Sequence, residues 1–125
     1  MERPILFGWL KKRKQRIQKE ARWTVAVDDT EICITDHEGN TKSVAKTELS
    51  RVMVETNDTG PWGTDVWWLL FGENQQLTCA FPHGATGYQL ATDYFARLEG
   101  FDHAALIAAM GSTQNAFFPV WRKAS

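Results

Sequence analysis

Between two apolar runs, residues 55–65 read ETNDTGPWGTD, with three acids, an Asn, two Gly, a Pro and Trp62 in one stretch. Hard cations take about six to eight oxygen ligands, and Glu55, Asn57, Asp58 and Asp65 carry oxygens of that kind. The spacing is not that of an EF-hand loop, because the twelfth position counted from Glu55 is Val66, where a bidentate acid is required. No metal is therefore assigned. The same stretch suits a protein or peptide partner better, with Asn57, Asp58 and Asp65 as polar contacts and Trp62, Trp67 and Trp68 as aromatic anchors. The plainer alternative is a long hairpin loop whose Asn, Asp and Gly make turns and whose Trp62 folds back onto the sheet.

A second stretch, PHGATG at residues 82–87, leads from an extended segment into a helix. Backbone N–H groups at a helix start can hold a phosphate or carboxylate, so His83, Gly84, Thr86 and Gly87 form a candidate anion site. Neither a P-loop, which needs a following GK[ST], nor the GxGxxG dinucleotide fingerprint is present. A turn needing Gly and a cap from Thr86 explains the same residues. His37, His83 and His103 show no HxxxH or HExxH pairing, and Cys33 and Cys79 stand at no ligand spacing to them. Ser112, Thr113 and the two Cys lack the surroundings of a nucleophile elbow or a cysteine-protease motif. No catalytic residue and no cofactor is assigned.

These groups need elements to position them. Trp23, Val25 and Val27 alternate with Thr24 and Ala26, predicting a strand with one buried face, and Asp28 to Thr30 supply a turn. Ile32 and Ile34 alternate with an outward Cys33, residues 36–40 (DHEGN) make a hairpin in which Gly39 and Asn40 tolerate positive φ, and residues 42–45 return. After a polar interruption at residues 47–50, Val52 and Val54 mark a fourth strand. The run from Val66 to Phe71 (VWWLLF) has no polar alternation, so both faces of this strand should be covered. Leu77, Cys79 and Phe81 point one way on a sixth, with Cys33 and Cys79 on opposite sides of the core and no internal disulfide expected. Beyond Pro82 the spacing turns helical: Thr86 and Gln89 fit a capping box, Tyr88, Ala91, Phe95 and Leu98 share a stripe, and Asp102 caps a second helix closed by Gly111. Residues 116–121 extend again, and Pro119 places them at an edge. The expected fold class is α+β, a curved antiparallel meander of about six strands covered by two C-terminal helices, then a terminal edge strand. A bent meander capped by a helix resembles the architecture of pleckstrin-homology-like domains.

The chain has 125 residues and a net charge of −1, which hides a division. Residues 1–22 hold eight basic and two acidic side chains, a net of +6, and the rest carries −7. The reading is a basic N-terminal arm, residues 1–21, followed by one domain, residues 22–125. An acidic body repels phosphate backbones, so no nucleic acid is expected for the folded domain. The arm joins an apolar tip with Phe7 and Trp9 to a basic run that begins Lys11, Lys12, Arg13 and Lys14, a composition suited to an anionic membrane surface. Its alternatives are a helical arm in which Leu10, Lys14, Ile17 and Ala21 share one face, or a latch onto the acidic body of the same or another copy, hence a homodimer. Two widely spaced Cys and no secretory pattern at the start suggest a cytoplasmic protein, or one peripheral on the inner membrane face.

The pattern ETNDTGP, DVWWLL, PHGATG, GFDHAALIAAMGST and NAFFPVW resembles that of a family of small bacterial proteins with no assigned activity, over about residues 22–122. The resemblance implies membership and no catalytic residue, cofactor or partner. The functional expectation is a non-enzymatic protein- or peptide-binding module. The alternatives are a peripheral membrane protein held by its arm, and a small anion-binding domain or enzyme using the PHGATG loop.

Overall fold

The computed structural model describes residues 22–57 and 65–124. In chain order they form β1 (Thr24–Val27), β2 (Glu31–Thr35), β3 (Thr41–Ala45), β4 (Arg51–Asn57), β5 (Asp65–Phe71), a 3-10 turn (Glu73–Gln75), β6 (Leu77–Pro82), α1 (Tyr88–Ala96), α2 (His103–Met110) and β7 (Ala116–Arg122). The architecture is α+β, with two antiparallel sheets of order β1-β2-β3 and β6-β5-β4-β7. The six-strand run is continuous in sequence but divides between β3 and β4, and β7 returns to the edge beside β4.

Local chemistry explains the turns. The Asp28 carboxylate accepts from the amides of Thr30 and Glu31, both at 2.8 Å, closing the first hairpin. Those two amides hold its carboxyl below the usual range. Asp36 does the same at the second hairpin, accepting from Glu38 and Asn40 at 2.9 Å. There Gly39 takes φ 91°, whereas Asn40, also expected to suit positive φ, does not adopt it. The division between the sheets falls at residues 46–50. Within it, residues 47–50 are the expected polar interruption, yet they bury Leu49 in the core, while the Ser50 amide and hydroxyl both donate to the Phe71 carbonyl.

Alternation works as expected where one face is apolar. Val25, Ile32, Ile34, Val44, Val52 and Val54 are buried, and the core face of β5 and β6 adds Trp68, Leu70, Cys79 and Phe81. Trp68 stacks on Phe81 and Phe95, with ring centroids 6.2 and 5.7 Å apart. Three consecutive β5 residues, Trp68, Leu69 and Leu70, are buried, so both faces of this strand are covered at its middle. Thr56 is the buried polar exception, and its hydroxyl donates to the Gln114 carbonyl at 2.7 Å.

The start of α1 departs from the capping-box expectation. Thr86 forms a parallel bridge with Thr24: its amide donates to the Trp23 carbonyl and its own carbonyl accepts from Val25. The helix therefore begins one residue later, with Gly87 at its N-cap at φ 85°. A Cβ there would lie 2.4 Å from the Val25 carbonyl oxygen, so the clamp onto β1 demands glycine. The second helix starts as expected, with the Asp102 carboxylate accepting from the Ala105 amide at 2.9 Å.

Candidate functional site

Strands β4 and β5 bring Asn57 and Asp65 opposite each other at the end joined through residues 58–64, with Glu55 facing Trp67 two pairs further in. The other two residues expected there, Asp58 and Trp62, lie outside the described residues, as do Phe7, Trp9, Lys11, Lys12, Arg13 and Lys14 of the arm. The neighbouring tryptophans separate. Trp68 points into the core at 1 % exposure and is withdrawn from any binding surface, which corrects its assignment as an anchor. Trp67 points to the other face, half-buried, where Trp23 meets it edge-on with ring centroids 5.3 Å apart.

The PHGATG loop is committed to internal bonding. The amides of His83, Ala85, Thr86 and Tyr88 donate to the carbonyls of Val66, Pro82, Trp23 and Ala85. His83 accepts the Trp68 indole N–H at Nδ1, at 3.2 Å, and Tyr88 lies edge-on to its ring at 4.6 Å. An accepting Nδ1 keeps the imidazole neutral with its proton on Nε2, and burial lowers its pKa. The loop thus orients a core indole, and three of its amides, with that of Tyr88 beyond it, are already bonded internally.

A small cavity of about 150 Å³ opens where the first sheet meets β6, lined among others by Trp23, Ile34, Asp36, Lys42 and Cys79. Asp36 faces it with a carboxylate already bonded to its own turn. Burial pushes the Cys79 thiol up to about 12, so it stays protonated and unreactive near neutral pH. Cys33 and Cys79 are both free. Among the described residues, no three His, Cys, Asp or Glu side chains converge on a common point as metal ligands.

The most distinctive surface is one that motif reading missed. The face of the second sheet turned away from the core carries Met53 on β4, Trp67, Leu69 and Phe71 on β5, Ala80 on β6, and Phe117 and Pro119 on β7. Both helices sit on the opposite side, where Ala91, Phe95 and Ala109 enter the core. At one margin Phe117 is 59 % exposed, and at the other Leu77 is 55 % exposed. Charges frame the face: Glu55 lies across from Trp67 and Phe117, and the Arg51 guanidinium lies over the Phe71 ring at 5.2 Å. The signal was present in Met53 between Val52 and Val54 and in Phe117 beside Phe118, where alternation calls for polar residues on an exposed face.

No protein-family model matches the chain, and comparison with curated proteins and with solved structures finds no match to it either. The likeness to pleckstrin-homology-like domains therefore gains no structural neighbour. No helix among the described residues is long and apolar enough to cross a membrane.

Proposed function

We propose that the protein is a non-enzymatic binding module that takes a protein or peptide on the outer face of the β4–β7 sheet. The observation that carries this reading is a contiguous apolar sheet face, centred on Trp67 and Leu69 and ending in an exposed Phe117, on the side away from both helices. The middle of this face, at Leu69, is buried, and the exposed apolar side chain is Phe117 at its β7 margin, the kind of surface that binding partners cover. Aromatic side chains at such positions supply most of the affinity in interfaces. The polar ends, Asn57 and Glu55 on β4, supply hydrogen-bonding groups at the rim.

The buried chemistry favours this reading over catalysis. The cysteine at the cavity is held as a thiol, the loop histidine is neutral and engaged with Trp68, and the acid at the cavity is bonded to its own hairpin. A peptide library selected on the full chain tests the proposal. Selected peptides should lose about tenfold in affinity on Phe117→Ser and on Trp67→Ala, and bind Leu90→Ser, altered on α1, as they bind the parent. Failure to select any sequence pattern, or binding indifferent to both face substitutions, would contradict it.

A further inference from the structure

We infer that the cavity between the first sheet and β6 is a binding site for a free α-amino acid whose side chain is aliphatic or a single ring. The inference does not depend on peptide binding at the outer face of the second sheet. It starts from a change of chemistry along the inner face of the first sheet. Ile32 lies opposite Val44 and both are core, whereas the next pair on that face sets Ile34 against the cation of Lys42. Asp36 and Asn40 follow in the hairpin, where the Asp36 amide donates to the Asn40 carbonyl, and both line the cavity. Apolar core thus gives way to two opposite charges where the cavity opens.

The two charges do not neutralise each other. The Asp36 carboxylate accepts from the amides of Glu38 and Asn40 at 2.9 Å and from the Asn40 side chain at 3.4 Å. These bonds aim it and still leave it an acceptor site, since a carboxylate has about four. Lys42 is exposed, sits diagonally across the hairpin from Asp36 and is not among its hydrogen-bond partners. Diagonal positions on a strand pair stand roughly 7–8 Å apart. A ligand with an ammonium and a carboxylate on one carbon fits between them, the ammonium on Asp36 and the carboxylate on Lys42. Away from the charges the lining is apolar. Ile34 and Cys79 are buried there, and the Trp23 indole forms a wall, held edge-on by Trp67 and tilted against His37 with ring centroids 5.3 and 6.2 Å away. The volume, about 150 Å³, is that of a cavity that takes up benzene, which sets the size of the side chain.

NMR titration of the isotope-labelled full chain with free L-leucine and L-phenylalanine tests the site. Expected are shifts at the Ile34 methyls, the Trp23 indole and the Lys42 and Cys79 amides, with Met53 and Phe117 unmoved. The carboxamide and the N-acetyl form of the same amino acid should each bind about tenfold more weakly. Lys42→Gln, at an exposed position of an edge strand, should weaken the free amino acid about tenfold and leave the carboxamide's affinity unchanged, because the carboxylate that Lys42 pairs with is already gone. The inference is overturned if none of these shifts appears up to about 1 mM of either probe, or if the blocked forms bind as well as the free amino acid. It is equally overturned if Lys42→Gln binds as the parent does, which would leave Lys42 the plainer role of an inward charge that keeps an edge strand from pairing with another chain.

Discussion

At the scale of single residues, two positions carry more than their sequence patterns indicate. Gly87 was legible as a flexible turn residue, but the demand on it is steric, because the clamp between Thr86 and β1 brings the Val25 carbonyl to where a side chain would stand. Gly87→Ala should lower stability by roughly 1–3 kcal/mol in urea titration, through strain at φ 85° and displacement of that clamp. His83 was legible as a loop histidine, and its bond to Trp68 was not, since the two residues are fifteen positions apart and meet only through the β5–β6 pairing. Burial lowers its pKa in the folded state, so the unfolded chain takes up its proton first as pH falls. The neutral form therefore stabilises the fold fully above the ordinary value of 6.5, and this contribution is lost as pH drops from there through the lowered folded value. Denaturant midpoints measured across that range should fall more steeply for the parent chain than for His83→Gln, which cannot titrate.

At the scale of elements, period-two spacing located the strands because each of the first four has one apolar side with polar neighbours. It failed at residues 47–50, where Thr47, Glu48 and Ser50 surround Leu49 and hide a core residue at the corner between the sheets. It also gave β5 two covered faces without saying what covers the outer one. Capping chemistry was reliable where nothing competed. Asp102 holds the start of α2, and Asp102→Ala should cost about 1 kcal/mol, read as a lower urea midpoint with an unchanged slope. At Thr86 the bridge to β1 took precedence over the cap, a long-range pairing that no local motif reports.

At the scale of the whole molecule, sequence order could not show that the meander splits into sheets of three and four strands. Nor could it show that β7 inserts beside β4, so that Met53 and Phe117 share a face with Leu69. That face is assembled from all four strands of the sheet, with residues as far apart as Met53 and Pro119, and it carries the functional account. Phe117 is mostly exposed, so Phe117→Ser should shift stability by less than about 0.5 kcal/mol while weakening peptide binding. The most direct test is backbone and methyl chemical-shift mapping of a selected peptide on the full chain. The account predicts that the largest shifts fall on Met53, Trp67, Leu69 and Phe117. Shifts confined to His83 and α1, or to the cavity beside Lys42 and Cys79, would contradict it.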